Sequence, residues 1–585
     1  MSRRPNPRST RAAPAAGARA ALPPLVLAPV PRALSIGVAL ALGAFLGLQY
    51  AGALRGPFMA DDYLFLTRVR DASLATLLSA NTIVAHYYRP WSRELHYWAL
   101  QRLFGPNEAI FHAVNLLLAL AAMWLFFRLA SRVAGARAAV IATAGIALAA
   151  GWGTLMGWVA GCQDLWMMAL GLAYLNLAIA GRRPAALVCL ALALLSKETA
   201  AVLPAVALLH AVLVARRPLR EALRGAGGDL LMLAAWLALH PMFGGRLLAA
   251  HGAASGEASS AIDPVNLVWA VLSLANVDVP PVPEHGLAGV LPACWPGAVL
   301  LPLGLAWALR SSRGATRGAP AAARASRSRI ALWGAAWAAL GMLPLLMPGL
   351  LWQPYYFLLG SFGAWLAIAV WLERWPTLAI VLLVALGVLR TTRAQTPQAR
   401  MGNEWTQARM ATLTRRMRDD LRRLHPTLPP HARIFFGEAP WGLGLITGHP
   451  DSPALRVWYG DTTLSGGYYS DYAARPTSMP PGRDFVFLFD SDGHVREVVV
   501  GPEPAGTPRD TIWEKDHAHL AVRFARAHDL AASEGEWRKL VAAFPHRFEY
   551  AYNLGESFAQ AGQPESAAVW RAKSEALKRS APAGN

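Results

Sequence analysis

The chain has 585 residues, 55% of them hydrophobic and 16% charged, with a mean hydropathy of +0.31. A soluble domain carries about 25% charged residues, and the shortfall is confined to the stretch from Pro31 to Arg390, so a single water-soluble core is excluded. The net charge of +19 does not indicate nucleic acid, because the arginines form short clusters between apolar runs and are not interleaved with aromatics on one soluble surface.

Residues 1–32 are basic and rich in Pro and Ala, and are expected to be a disordered cytoplasmic tail. The apolar run 33–54 is long and lacks a convincing cleavage site, so it reads as a retained first helix rather than a signal peptide. A helix needs about 20 apolar residues to cross the hydrocarbon core. On that basis spans are expected near 33–54, 109–130, 138–158, 164–180, 184–196, 199–215, 228–243, 288–309, 330–350, 354–372 and 376–390, a bundle of about 11 helices filling 33–390. Threading the chain with its N-terminus inside puts Arg128, Arg132, Arg137, Arg182, Arg183, Arg216, Arg217, Arg220, Arg224 and Arg374, with the arginines of 310–329, on one side. That is the positive-inside pattern. An odd number of spans then places everything after 390 on the extracytoplasmic face, in the inner (cytoplasmic) membrane of a bacterium. Cys162, Cys189 and Cys294 lie in or beside apolar segments, with no spacing for a disulfide or a metal.

The outward segments differ in kind from the inward ones. The loop 55–108 is long, and 244–287 is long and rich in Gly, Ala and Pro. The turns at Gln163-Asp164, Lys197-Glu198 and Trp352–Tyr356 are short and carry polar groups at helix ends. Ionisable groups at membrane depth are costly, which makes them functional candidates. Asp61 and Asp62 open the first loop; adjacent carboxylates suit a general base or a divalent cation, and their plainer alternative is a helix cap with a first-turn acid. Further along come His86, Tyr88, Arg89 and Arg93, where Arg89 suits a phosphate and the stretch Trp91–Phe104 is amphipathic, as an interfacial helix would be. His112 and Asn115 either serve the site or bond neighbouring helices. Gln163 and Asp164 begin the fourth span, and Lys197 and Glu198 join the fifth to the sixth, as a self-compensated pair or as a phosphate contact. The derived sidedness puts all of these on one outer face, which is what transfer from a lipid phosphate needs: a base for an acceptor hydroxyl and cations for the leaving group.

At Asp61-Asp62, Tyr88-Arg89-Pro90, Phe111-His112 with Asn115, Gln163-Asp164 and Ser196-Lys197-Glu198-Thr199 the chain resembles the GT-C superfamily of polyprenyl-phosphate-dependent glycosyltransferases, in its protein O-mannosyltransferase-like and lipid-A-modifying branches. The resemblance covers roughly 33–390. It implies an inverting membrane glycosyltransferase that takes a sugar from a polyprenyl-phosphate donor and passes it to a lipid, glycan or protein acceptor. It makes Asp61 or Asp62 the catalytic base, without separating them. Asp164, with Gln163, matches the acceptor or metal site, and Arg89 and Lys197 match the donor-phosphate contacts. His86, Tyr88, Arg93, His112, Asn115 and Glu198 are expected to support them. Metal dependence varies within the family, so a cofactor is left open: either none, or a divalent cation, Mg or Mn, on Asp62 and Asp164. Two other readings stand beside this one: a non-catalytic anchor or assembly protein with the same fold, and a transporter. The transporter is disfavoured because the charges gather at one set of helix ends instead of the midplane.

Beyond 390 a soluble α+β domain is expected over 391–515, with strands at Arg433–Gly437, Ala454–Tyr459 and Asp484–Phe489 and a hairpin turn at Asp490–His494. Residues 516–585 read as helical. Phe548–Ala567 resembles one tetratricopeptide-type helix pair, a unit expected to cap the domain as a helical hairpin rather than form a binding groove; any protein partner is expected through the C-terminal domain as a whole.

Overall fold

The computed structural model describes residues 31–79, 87–240, 262–279, 282–311, 321–348, 350–398, 402–437, 439–440, 443, 452–468, 484–499, 506–526 and 528–580. Among the described residues, six helices are long and apolar enough to cross a membrane: Arg32–Gln49, Glu108–Ala134, Val159–Ile179, Ser326–Leu346, Pro354–Leu372 and Pro376–Ala394. Three helix pairs bent at a short break pass the same test together, Ala136–Ala147 with Gly151–Gly157, Leu219–Gly225 with Gly227–Leu239, and Gly286–Ala293 with Pro296–Arg310, so the described residues hold six to nine apolar spans according to whether each pair crosses or re-enters. Arg183–Leu194 and Glu198–Val214 are shorter apolar helices. This is a multi-pass membrane protein. The stretches read as spans in the sequence overlap these elements, with 50–54 beyond the first helix and 241–243 outside the described residues, and several are broken rather than straight.

The first helix shows why such sequences suit lipid. It buries one stripe, Leu34, Val38, Leu42, Phe45 and Leu46, while Ile36 and Leu40 on the other face are open. Apolar side chains on both faces suit a helix with protein on one side and hydrocarbon on the other. Helices Ala321–Met342 and Leu358–Leu372 approach more closely than bulky residues allow. A Cβ on Gly363 would stand 2.5 Å from the Gly334 carbonyl oxygen, and one on Gly341 would stand 2.4 Å from the Gly360 Cα. Small residues at a crossing let backbones touch and replace the missing hydrophobic drive with packing.

The break between Ala136–Ala147 and Gly151–Gly157, bent by 60°, is stabilised by side chains that take over the backbone groups it frees. Asn276 donates to the Leu148 carbonyl at 3.0 Å and accepts the Ala150 N–H at 2.9 Å. Beyond the break, His112 Nδ1 meets the Met156 carbonyl at 3.0 Å, and Asn115 donates to the Val159 carbonyl at 3.1 Å. These two residues therefore shape the segment that leads into Gln163 and Asp164.

After the last span, helix Glu404–Leu424 leads to a four-stranded sheet of order β2-β1-β3-β4, formed by β1 (Arg433–Gly437), β2 (Ser465–Tyr468), β3 (Asp484–Phe489) and β4 (Val495–Glu497). β1 pairs in parallel with β2 and β3, and β3 turns back antiparallel into β4 through the expected hairpin turn. A parallel central strand is buried on both faces. Phe435 and Val486 face Leu520 and Phe524, while Ile434, Phe436 and Phe487 join a core shared with Tyr63, Tyr97, Phe111 and Trp458. That second core is continuous from the first outer loop to the sheet. Helices Thr511–Arg526, Leu530–Ala543, Phe548–Gln560 and Pro564–Ser580 follow, and the last two form the expected hairpin around Gly562 at φ 72°.

One element differs from expectation. Ala454–Tyr459, read as a strand, lies in helix Pro453–Tyr459. Its punctuation is helical: Pro453 occupies the first turn, and Gly460 ends it at φ 68°. A six-residue, mostly apolar stretch does not by itself distinguish strand from helix, and the flanking Pro and Gly decide it.

Candidate functional site

A cavity of about 430 Å³ opens between the 55–108 loop and one set of helix ends of the bundle. Asp61, Arg89, Arg93, Gln163, Asp164, Lys197 and Glu198 all line it. These are seven of the residues singled out from sequence, drawn from three separate stretches of chain.

The first loop supplies the acids. Asp61 and Asp62 start helix Asp61–Val69 directly after a tight turn. They point to different places. Asp62 is fully buried, and its carboxylate accepts the Met59 N–H at 2.8 Å, the Ala160 N–H at 2.8 Å and the Tyr97 hydroxyl at 2.7 Å. Asp61 instead lines the cavity beside the Trp158 indole. Burial is the largest influence on both and raises both; the Asp61 carboxyl is pushed up to about 6, with Arg93 and Arg89 pulling the other way. For Asp62, the Asp61 charge adds to burial.

Arg89 reaches the cavity because the Pro90–Leu95 turn docks on the 195–198 turn. The Trp91 N–H donates to the Leu195 carbonyl at 3.3 Å, and the Ser92 hydroxyl donates to the Ser196 carbonyl at 2.7 Å. Arg89 then donates through Nε and Nη2 to Glu198, at 3.0 and 2.6 Å, and through Nη1 to Gln163 at 2.8 Å. Its guanidinium lies 4.2 Å from the centre of the Tyr87 ring. Burial works against its charge, but the Glu198 carboxylate outweighs that and holds its pKa above the ordinary value. Lys197 donates to both oxygens of Asp164, at 2.7 and 2.6 Å, and sits 5.2 Å from the Tyr355 ring centre and 5.5 Å from that of Tyr356. Arg93 pairs with Glu94 (Nε to Oε1 at 2.7 Å) and donates to the Tyr87 carbonyl. Opposite charges thus alternate around the opening, and valence still leaves Arg89 and Lys197 with N–H groups for a ligand.

The remaining expected residues fall around this centre. Tyr88 does not line the cavity; its hydroxyl donates to the Leu78 carbonyl at 2.7 Å. His112 and Asn115 also stand outside it, on helix Glu108–Ala134, from which they bond to the bent segment. His86 lies outside the described residues. Sequence reasoning passed over Tyr97, Trp158, Tyr355, Tyr356 and Trp236, the last four of which form much of the aromatic and apolar wall. Aromatics at helix ends look the same in sequence whether they anchor at the interface or line a site. The polar turn Trp352–Tyr356 was the available signal.

The donor set does not fit a divalent cation on Asp62 and Asp164. The Asp62 oxygens already face three protein donors, and both Asp164 oxygens face an ammonium. Among the described residues no group of three or more His, Cys, Asp or Glu is gathered as a metal would need.

No family model and no curated protein sequence matches the chain. Its structural neighbours are two crystal structures of ArnT from Cupriavidus metallidurans, one bound to undecaprenyl phosphate and one in the apo state. Both align with a TM-score of 0.37 and 16% identity over 78% of this chain, covering 93% and 92% of the respective ArnT chains.

Proposed function

We propose that this chain is a membrane glycosyltransferase of the GT-C type that moves a sugar from a polyprenyl-phosphate donor to the hydroxyl of a lipid, glycan or protein acceptor at the outer membrane face. The observation that carries this reading is the Asp61 carboxylate on the wall of a largely apolar cavity that Arg89 and Lys197 also line. In the reaction Asp61 takes the proton of the acceptor hydroxyl as its oxygen bonds to the anomeric carbon. The bond from that carbon to the phosphate oxygen breaks, and its electron pair leaves with the phosphate. The unused N–H groups of Arg89 and Lys197 meet the charge that develops there. Asp62, locked by three donors, fixes the start of the helix, which supports Asp61 as the base. No step passes through a metal.

In this reading the two shorter apolar helices also cross the membrane, which gives the eleven-span topology with the N-terminus cytoplasmic and the residues after 390 extracytoplasmic, in a bacterial inner membrane. The 391–515 and 516–585 segments are then outer domains, the latter with a tetratricopeptide-like end available to a protein partner. The test is turnover by purified protein in vesicles with a polyprenyl-phosphate sugar: wild type releases polyprenyl phosphate and Asp61→Asn does not. Full activity of Asp61→Asn ends the proposal.

A non-catalytic anchor draws support from one observation, the prior pairing of Arg89 with Glu198 and of Lys197 with Asp164. It predicts no donor turnover by the wild type with any acceptor fraction from the same membranes.

A further inference from the structure

Met59–Asp62 is a tight turn in which the Asp62 N–H donates to the Met59 carbonyl at 3.0 Å and the Met59 N–H donates back to the Asp62 carboxylate at 2.8 Å. Ala60, its first central residue, has φ 47° and ψ −125°. Those angles are close to the first central position of a type II′ turn, where glycine is favoured because a Cβ is strained. A side chain stays in such a conformation only where its surroundings over-determine it, and strained residues of this kind cluster at functional sites. The next residue in the chain is Asp61.

Much of what surrounds this turn belongs to the extramembrane segment rather than to the bundle. Met59 and Ala60 are buried in one cluster with Met410 and Ala411 of helix Glu404–Leu424. One turn further on, the Trp458 Nε1–H donates to the Tyr63 hydroxyl at 3.0 Å, with the two rings edge to face at 5.5 Å. On the preceding side, Glu108 accepts the Phe58 N–H at 3.3 Å and Arg418 at 3.1 Å. The acid pair is therefore gripped before, at and after the turn by residues from 404 to 459.

We propose that the extramembrane segment positions the acid pair: Met410 and Trp458, neither of which lines the cavity, hold the strained Met59–Asp62 turn and with it the direction of the Asp61 carboxylate. The consequence for sugar transfer rests on Asp61 being the base; the positioning itself does not. A tail that only adds stability would leave the Asp61 environment alone once the protein is folded.

The experiment uses the full chain in lipid nanodiscs and reads the rate at which an apolar carbodiimide modifies Asp61, by peptide mass spectrometry. Met410→Ala loosens the packing over Ala60, and a residue of this strain then shifts its conformation by roughly tenfold in population. The Asp61 labelling rate should change by a comparable factor. Adding Ala60→Gly, which adopts the same angles without strain, should return it toward the wild-type rate. Trp458→Ala should shift labelling more than Trp458→Phe, which keeps an aromatic edge against Tyr63. In the transfer assay Met410→Ala should lower kcat with little change in the donor KM, and Ala60→Gly should rescue it. Labelling indistinguishable from wild type in folded Met410→Ala and Trp458→Ala overturns the proposal, as does a Met410→Ala defect that Ala60→Gly leaves untouched. If Met410→Ala does not fold, the Met410→Ala/Ala60→Gly chain and the two Trp458 variants decide by the same criteria. A wild type that shows this labelling pattern yet turns over no donor refutes the glycosyltransferase reading and leaves the positioning intact.

Discussion

Removing one member of the Asp164–Lys197 pair should cost far more than removing both. The Lys197 and Asp164 side chains are only 9% and 8% exposed, and the ammonium is bonded to both carboxylate oxygens. Asp164→Asn leaves a buried cation with no formal counter-ion, and Lys197→Met leaves a buried anion. Each such loss costs about 3–5 kcal/mol in other buried pairs. Replacing both by apolar residues of similar size, Asp164→Leu with Lys197→Met, is often neutral or stabilising. The neighbouring Arg89–Glu198 pair stays in place and compensates itself, so it should not absorb the difference. With Asp164→Leu and Lys197→Met as the matched singles, a double-mutant cycle should therefore return a coupling of about 6 kcal/mol or more, with each single variant well below the wild type and the double close to it. Equilibrium unfolding in mixed micelles measures this directly. Single variants within about 0.5 kcal/mol of wild type, with an additive double, would mean that water screens the pair as it does surface ion pairs. The cavity would then be too wet for the electrostatics argued above.

Because burial pushes the Asp61 carboxyl up to about 6, a base at this position is ionised above that pH and protonated below it. The kcat/KM for transfer should therefore fall about tenfold per pH unit on the acid side of that value and level off above it; a flat profile there removes Asp61 as the base. Glu198→Gln removes the carboxylate that occupies Arg89, so the donor should bind about fivefold more tightly. A donor titration showing weaker binding would instead assign Glu198 to orienting Arg89. Gly363→Leu drives a side chain into the Gly334 carbonyl, 2.5 Å from where its Cβ would sit, and should abolish the monodisperse fraction in size-exclusion chromatography. Gly363→Ala should fall between the two.

The general organisation was legible because two signals agreed. Apolar runs located the helices, and the arginine clusters assigned their ends to sides, so Asp61, Arg89, Gln163, Asp164, Lys197 and Glu198 could be placed on one face before any contact was known. Side-chain pairing was not legible. Arg89 and Lys197 read as phosphate contacts, and nothing in the order of residues indicates that Glu198 and Asp164 already hold them, because the pairing depends on how two outer turns dock. The roles of Asp61 and Asp62 were likewise inseparable in sequence. The proposed division between them rests on Tyr97 and the Ala160 N–H, farther along the chain, which occupy Asp62. Breaks in the helices were hidden too: Gly151 and Pro296 are visible, but a Gly or Pro in a membrane helix marks a bend only where partners such as Asn276 satisfy the freed backbone groups. The strain at Ala60 has no sequence signal, since alanine gives no hint of a positive φ.

The most direct test of sugar transfer from a lipid carrier is a lipid-linked sugar profile of cells with and without this protein. The account predicts that one polyprenyl-phosphate sugar accumulates in the deletion, disappears when the wild-type chain is restored, and persists when Asp61→Asn is restored. Identical profiles in all strains, or clearance by Asp61→Asn, would contradict it.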